Sequence, residues 1–168
     1  IKEALSTAHG VKGRAEVVKT NTCYTVIIDY AHTPDGIENI LKTVKGFCIG
    51  RTIIVFGCGG DRDNTKRSIM GSIAGKLADF CVVTSDNPRT EDPMKIISMV
   101  EEGVKKSGGS YVVIESRYDA IKYALDNAKK DDVIVLAGKG HETYQILGTG
   151  TIHFDEREVV KEILGLNR

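Results

Sequence analysis

The sequence predicts a single α/β domain built on a mainly parallel β-sheet. Runs rich in valine and isoleucine recur along the chain, and amphipathic helical patterns separate them. Continuous apolar runs of this kind are typical of strands that are covered on both faces. Strand and helix alternate four times, which favours an open, doubly wound sheet of the Rossmann-like type. The predicted strands occupy residues 24–29, 52–57, 80–84, 111–115 and 132–137.

Helices are predicted where apolar residues recur three and four positions apart, particularly after a capping residue. Four of these patterns follow a capping residue, at Thr33, Asp92, Ser116 and Asp155. The remaining helix, between the second and third predicted strands, carries an apolar stripe of Ile69, Ile73 and Leu77. Residues 144–154 contain Gly148 and Gly150 at their centre, and we predict a hairpin there that adds one antiparallel edge strand to the sheet.

Composition and charge exclude several classes of function. The chain has 168 residues, of which 41% are apolar and 27% charged, as in one ordinary globular domain. Its 23 basic and 23 acidic residues balance, so no net charge would attract nucleic acid or an anionic membrane. No apolar run approaches the roughly 20 residues of a membrane span, and the first residues lack the apolar segment of a signal peptide. We therefore expect a cytoplasmic protein.

The four cysteines point the same way. Cys23, Cys48, Cys58 and Cys81 are far apart and form no CxxC pair, so we expect no zinc site. Cys23 and Cys81 lie in apolar runs and are predicted to be buried, reduced thiols, which suit a reducing compartment. The chain begins with Ile1, and we expect it to be part of a longer protein.

Polar clusters follow four of the predicted strands. Ligands bind at the carboxyl ends of the strands in sheets of this class, so these clusters are candidate site residues. They are residues 29–32, 57–63, 85–89 and 138–142.

The second cluster, the glycine loop (residues 57–63), reads Gly-Cys-Gly-Gly-Asp-Arg-Asp. It is not a GxGxxG dinucleotide fingerprint, because Arg62 stands where the third glycine would be, and no GK[ST] ending makes it a P-loop. One interpretation is a tight turn that needs positive φ. The other is a loop whose glycines let a ligand approach the backbone while Arg62 binds a carboxylate or phosphate.

Two further segments carry charged and amide side chains. The 86–89 segment, Asp86-Asn87-Pro88-Arg89, is either a simple turn or a recognition element for a zwitterionic amino acid, in which Asp86 and Asn87 meet ammonium or amide-seeking groups. The 138–142 segment, Gly-Lys-Gly-His-Glu, ends in Glu142, which either begins a helix or pairs with an ammonium group.

After the first strand, the sequence reads Asp29-Tyr30-Ala31-His32-Thr33-Pro34. Thr33 and Pro34 form a capped helix start. Asp29 and His32 are not needed for that role, so they are candidates for function.

Together these motifs resemble the Mur ligases, and in particular their diaminopimelate-adding members. The resemblance rests on residues 10–14 (Gly-Val-Lys-Gly-Arg), 29–35, the glycine loop, the 86–89 segment and the 138–142 segment, which occur in the family's order along nearly the whole chain. It implies a three-domain ATP-dependent ligase in which residues 19–168 form the C-terminal amino-acid-binding domain. Residues 1–18 would then be the end of, or linker from, a central ATPase domain. The fragment alone would be inactive, because the P-loop and the Mg²⁺ ligands lie in that central domain.

The resemblance also implies roles for ten residues. The ATP side would comprise Arg14, Asp29, Tyr30 and His32. The pocket for meso-diaminopimelate would comprise Arg62, Asp86, Asn87, Arg89, Gly138 and Glu142. The expected substrates are meso-diaminopimelate, a UDP-N-acetylmuramoyl dipeptide and ATP with Mg²⁺, and no metal site is expected in this chain.

Three alternatives stay open on the sequence alone. Two are within the class: a lysine-adding Mur ligase, against which Arg89 argues, and a folylpolyglutamate or cyanophycin synthetase domain. The third is a stand-alone Rossmann-type module that binds a small molecule. Arg62, in place of the third glycine of the fingerprint, argues against a nucleotide as that molecule.

Overall fold

The structure, a computed structural model, describes residues 11–166. Gly10 of the first motif lies outside the described residues. The strands are β1 (Glu16–Val18), β2 (Thr25–Asp29), β3 (Thr52–Phe56), β4 (Phe80–Val83), β5 (Tyr111–Val113), β6 (Val133–Ala137), β7 (Tyr144–Leu147) and β8 (Gly150–His153). The helices are α1 (Pro34–Lys45), α2 (Thr65–Leu77), α3 (Pro93–Ser107), α4 (Arg117–Asp126) and α5 (Glu156–Ile163).

Six strands form one sheet in the order β1-β2-β6-β3-β4-β5. All neighbouring pairs are parallel except β1 with β2, which is antiparallel. The predicted class, a mainly parallel α/β sheet with one antiparallel edge strand, is confirmed. All five predicted strands are present, each shorter than predicted by one or two residues.

The antiparallel edge strand is not the one predicted. Residues 144–154 do form a hairpin, but its strands β7 and β8 make a separate two-stranded sheet. Instead of pairing with the main sheet, Ile146 in β7 is hydrogen-bonded to the 86–89 segment. Its N–H donates to Asn87 Oδ1, and its carbonyl accepts from the N–H of Arg89. The edge position is taken by β1, which lies close to the expected boundary at residues 18 and 19.

Helices cover the sheet on both faces. On one face, α1, α2 and α3 pack against alternate strand residues such as Ile54 and Val135. On the other, α4 and α5 pack against the intervening residues, such as Val55 and Ile134. Both faces of the central strands are buried, which explains why their sequences are continuously apolar.

The predicted apolar stripe of α2 is wrong in part. Ile69 is 51% exposed, and the buried face carries Met70, Gly71 and Ala74. The reason is close contact with α3: a Cβ on Gly71 would lie 2.0 Å from the carbonyl oxygen of Val100. The two helices approach through glycine backbone, so the apolar pattern alone points to the wrong face.

The cysteine prediction is half right. Cys81 is buried, whereas Cys23 is exposed, because β2 begins only at Thr25 and leaves Cys23 in the preceding bend. All four cysteines are free thiols. Within residues 11–166, no helix combines the length and hydropathy needed to cross a bilayer.

Candidate functional site

A cleft of about 230 Å³ opens at the carboxyl ends of the central strands. Eight of the predicted site residues line it: Tyr30, His32, Arg62, Asp86, Asn87, Arg89, Gly138 and Glu142. The parallel register brings them together, because β3, β4 and β6 end at the same edge of the sheet. Arg14 and Asp29 do not line the cleft.

The glycine loop forms one wall, and its glycines serve contact between two backbones. A Cβ on Gly57 would lie 2.1 Å from the Thr84 carbonyl oxygen, and one on Gly60 would lie 2.0 Å from that of Pro88. The Gly60 N–H also donates to the Asn87 carbonyl at 2.9 Å. The residue with positive φ in this loop is Asp61, at 53°, rather than a glycine. The loop is therefore fitted against the 86–89 segment, while Arg62 remains exposed in the cleft.

One carboxylate and one amide side chain of the 86–89 segment, those of Asp86 and Asn87, face the cleft. Asp86 is 8% exposed, and its carboxylate has no hydrogen-bond partner within residues 11–166, so it is available to a cation. Asn87 accepts at Oδ1 from Lys139 Nζ (3.1 Å) and the Ile146 N–H (3.0 Å), and donates from Nδ2 to Glu142 Oε2 at 3.0 Å.

Arg89 has a constrained position at the end of this segment. Its φ is 54°, in the left-handed region that is uncommon for residues with a side chain. Its Nη1 donates to the carbonyls of Gly60 (2.8 Å) and Asn87 (3.3 Å). Among the described residues, Nε and Nη2 have no hydrogen-bond partner, so three of the five guanidinium N–H donors can still bind a ligand oxygen.

The 138–142 segment closes the cleft from the side of β6. Gly138 has φ 118°, and a Cβ there would lie 2.6 Å from Asp86 Oδ2. Glu142 does not begin a helix; its N–H bonds back to the Lys139 carbonyl in a turn, and its carboxylate faces Asn87 and Lys139. The helix-start interpretation is therefore wrong.

Asp29 and Arg14 lie beside the cleft and differ in what they contact. Both carboxylate oxygens of Asp29 are occupied by backbone, Oδ1 by the Ala31 N–H (2.8 Å) and Oδ2 by the Ala15 N–H (2.7 Å). Asp29 thus anchors the turn before β1. The exposed guanidinium of Arg14 lies over the Tyr30 ring at 5.4 Å. Arg14 is therefore free to bind an anion, whereas the Asp29 side chain is committed to the backbone.

An aromatic cluster continues from Arg14 towards the cleft. The Tyr30 ring centroid lies 4.6 Å from that of His32 and 5.0 Å from that of His141. Lys66 Nζ donates to the His32 carbonyl at 3.0 Å and also lines the cleft. The predicted ATP-side residues therefore adjoin the predicted amino-acid pocket.

Sequence reasoning missed several charged residues that shape the cleft. Lys139 is fully buried, and Arg117 is a buried residue whose guanidinium donates to the carbonyls of Ala137 (2.9 Å) and Ser85 (3.4 Å) and pairs with Glu156. These bonds hold the chain just before Asp86 and Gly138. Arginine and lysine in helices and loops are ordinarily exposed, so no local signal marks these as buried. Lys66, in the first turn of α2 directly after the glycine loop, could have been found from its place at the carboxyl end of the sheet.

No group of three or more His, Cys, Asp or Glu side chains suited to a metal occurs in the part of the chain that the structure describes. The cleft instead combines the cations Arg62, Lys66 and Arg89 with the carboxylates Asp86 and Glu142. Such a mixed lining suits a small molecule that carries both carboxylate and ammonium groups.

Comparisons with known proteins identify the family. A family model described as Mur ligase, glutamate ligase domain, matches residues 13–140. The UDP-N-acetylmuramoyl-L-alanyl-D-glutamate--2,6-diaminopimelate ligase of Caldanaerobacter subterraneus subsp. tengcongensis is 63% identical over 164 residues, which are 98% of this chain and 34% of that protein. The ligase of the same name from Clostridium botulinum is 58% identical over 166 residues, with the same two coverages.

Solved structures extend the comparison. A structure of a UDP-N-acetylmuramoyl-L-alanyl-D-glutamate--2,6-diaminopimelate ligase superposes with a TM-score of 0.87 at 38% identity, over 98% of this chain and 34% of that chain. Escherichia coli FolC in complex with ADP shares the fold, with a TM-score of 0.57 at 22% identity over 78% of this chain and 29% of its own. The chain spans about a third of the length of these relatives. The family match over residues 13–140 shows that this chain belongs to the Mur ligases and contains their glutamate ligase domain.

Proposed function

We propose that this chain is the C-terminal domain of an ATP-dependent ligase of the cytoplasm that adds meso-diaminopimelate to UDP-N-acetylmuramoyl-L-alanyl-D-glutamate in peptidoglycan synthesis. The relatives that cover it at 63% and 58% identity carry the name of that activity. The proposed domain comprises residues 19–168, and β1 (Glu16–Val18) extends its sheet into the segment expected to be a linker.

The observation that carries the proposal is the charge arrangement of the cleft. meso-Diaminopimelate has an amino-acid group at each end, so its pocket must offer cations or N–H donors to carboxylates and oxygens to ammonium. Arg62 and Arg89 supply the guanidinium groups, and Asp86 and Glu142 the carboxylates. Gly138 keeps the space beside Asp86 open, since a side chain there would collide with its carboxylate. Lysine lacks the second carboxylate and would leave one of these guanidinium groups unpaired.

The ATP side of the proposed site is the cluster of the exposed Arg14 and His32 with the half-buried Tyr30. A guanidinium there can neutralise charge that develops on a transferring phosphoryl group. Asp29 would act indirectly, by holding the turn that carries Arg14. ATP and Mg²⁺ would be bound mainly by the rest of the protein.

The contribution of this domain to the reaction would be positioning. The proposed reaction activates the peptide carboxylate as an acyl phosphate, which the amine of the incoming amino acid attacks. Holding that amine beside the acyl carbon contributes roughly 7–11 kcal/mol to lowering the barrier. A domain that binds the amino acid and closes on the ATPase domain would deliver it in this way.

The test is a substrate panel with the full-length ligase that contains this domain. Phosphate release and product mass are measured with ATP, Mg²⁺ and the UDP-N-acetylmuramoyl dipeptide, adding meso-diaminopimelate, L-lysine or L-glutamate in turn. We expect turnover with meso-diaminopimelate at a kcat/KM at least a hundredfold above that for lysine. A kcat/KM for lysine equal to that for meso-diaminopimelate would contradict the proposed substrate specificity. A second assay replaces the UDP dipeptide with a folate acceptor, and turnover with glutamate there would assign the chain to the folylpolyglutamate synthetases. Binding of an amino acid without any turnover would favour a stand-alone module.

A further inference from the structure

Lys139 is fully buried at the wall of the cleft. A buried ammonium group is costly unless it is paired, so its partners indicate what it is for. Nζ donates to Asn87 Oδ1 at 3.1 Å and to Glu142 Oε2 at 3.2 Å, and lies 5.8 Å from the centroid of the Tyr144 ring. Both hydrogen-bond partners line the cleft. Its charge therefore acts on the cleft wall rather than on the core.

Lys139 fixes which way the Asn87 amide faces. An ammonium group only donates, so the Asn87 atom that it contacts must be the oxygen, and the N–H of Ile146 donates to the same atom. The amide nitrogen therefore lies on the opposite side, where it donates one hydrogen to Glu142 Oε2. Its second hydrogen remains for a ligand. Asn87 thus offers a donor to the cleft, and not the acceptor that an ammonium ligand would need.

The same contact orients Glu142. Oε2 accepts from both Lys139 and Asn87, while Oε1 has no hydrogen-bond partner among residues 11–166. The paired oxygen is held against the wall, so the other one is available to a cation in the cleft.

We propose that Lys139 is a positioning residue that sets the polarity of the amino-acid pocket. It turns the Asn87 N–H, next to Arg89, towards a ligand carboxylate, and it directs Glu142 Oε1, next to Asp86, towards a ligand ammonium. The donors of Asn87 and Arg89, together with the carboxylates of Glu142 and Asp86, match the carboxylate and the ammonium of one amino-acid group. The inference rests on the proposed function, in that this cleft binds the incoming amino acid, but it does not depend on which amino acid that is.

Lys139→Met in the full-length ligase tests it, because methionine keeps most of the volume and removes the charge. We expect the KM for the amino acid to rise about tenfold or more, equivalent to about 1.4 kcal/mol or more. We expect kcat to change less than about threefold and the KM for ATP and for the UDP dipeptide to stay constant. The matched control is Arg51→Met, which breaks an ion pair with the buried Asp132 at the opposite end of β3 and β6. It should lower stability without a change in the KM for the amino acid. An unchanged KM in Lys139→Met, or equal losses in all substrates, would overturn the proposal.

Asn87→Asp decides the matter even if Lys139→Met does not fold. It preserves an acceptor for Lys139 and for the Ile146 N–H. It replaces the amide nitrogen, which donates to Glu142 Oε2 and offers its second hydrogen to the cleft, with a carboxylate oxygen. We expect the KM for the amino acid to rise about tenfold or more. If the Asn87 oxygen met an ammonium ligand instead, the aspartate would bind as well or better, and the proposal would fail.

The wild-type enzyme separates this inference from the proposed function. If it uses lysine or another amino acid instead of meso-diaminopimelate, the proposed substrate fails, and the Lys139 experiment is run with the amino acid that it does use. If it uses meso-diaminopimelate but the KM is insensitive to Lys139 and Asn87, only the positioning role fails.

Discussion

Arg67 and Glu91 form a two-bond ion pair that joins α2 to the segment before α3. Nη1 donates to Oε2 at 2.9 Å, and Nη2 donates to Oε1 at 2.8 Å. The Arg67 side chain is buried, and it also reaches the Gly59 carbonyl, while Glu91 accepts from the Asp61 N–H at 2.6 Å. The pair therefore ties the glycine loop to the segment that follows Arg89.

Loss of this pair should destabilise the domain in a pH-dependent way. The hydrogen bonds from Arg67, and next the one from Asp61, lower the pKa of Glu91 from its ordinary 4.5 to about 2. A depressed pKa stabilises the fold above pH 4.5, and this contribution is lost as the pH falls towards 2. We expect Glu91→Gln to lower the urea midpoint most at neutral pH, and the difference from wild type to shrink below pH 4.5. Glu102→Gln, in an exposed helical pair with Lys106, is the control and should show almost no effect.

Close packing of α2 on α3 makes Gly71 intolerant of a side chain. The Cβ of alanine would lie 2.0 Å from the Val100 carbonyl oxygen, so the helices must separate. We expect Gly71→Ala to reduce the free energy of unfolding by roughly 1–3 kcal/mol, despite the better helix propensity of alanine. Urea denaturation measures it, with the exposed Ser98→Ala on α3 as control. A stabilised Gly71→Ala variant would show that the interface is looser than described.

Arg14 and Asp29 should separate in their effects on activity and stability. Arg14 is exposed, so Arg14→Ala should reduce turnover of the full-length enzyme by orders of magnitude with little change in melting temperature. Asp29→Ala leaves the N–H groups of Ala15 and Ala31 without their acceptor, at roughly 1–3 kcal/mol each if they stay buried. Asp29→Ala should therefore reduce both turnover and melting temperature. Melting curves and kcat measured on the same preparations check this. Wild-type turnover in both variants would leave these residues with structural roles alone.

Arg89 should govern the choice between meso-diaminopimelate and lysine. Removing one member of a buried charged contact costs roughly 2–5 kcal/mol, which is on the order of 30-fold to several-thousand-fold in kcat/KM. We expect Arg89→Ala to lose that much with meso-diaminopimelate and to gain little with lysine. Arg89→Lys, which keeps the charge without the planar fork, should lie between. A change below about threefold for meso-diaminopimelate would remove Arg89 from the pocket.

Thiol reactivity should follow burial. Desolvation raises the pKa of Cys58 and of Cys81 to about 12, so neither forms appreciable thiolate at pH 8. Cys23 is exposed. We expect a disulfide reagent to label Cys23 first and to reach Cys58 and Cys81 only after unfolding, as mass spectrometry of digests would show. Cys23→Ser should abolish the earliest label. Fast labelling of Cys81 would contradict the buried core described for β4.

The fold class and most of the residues that line the cleft could be predicted from the sequence. Strand order along the chain, apolar runs and capping residues such as Thr33 and Asp92 are local properties, and the structure keeps them. Because parallel strands end at one edge, the polar residues after each strand had to meet, and the predicted lining residues from Tyr30 to Glu142 do so.

The way in which these groups face one another depends on tertiary contacts. The sequence could not place Ile69 outside, because the exposure of α2 depends on glycine contact with a helix distant in sequence. Nor could it bury Lys139, whose charge is compensated by Asn87, 52 positions away in sequence. The hydrogen bonds that orient the Asn87 amide, and the one from the Ala15 N–H to Asp29, likewise join residues at least 14 positions apart in sequence. Such contacts leave no periodicity in the sequence, since their energy depends on two segments meeting in space.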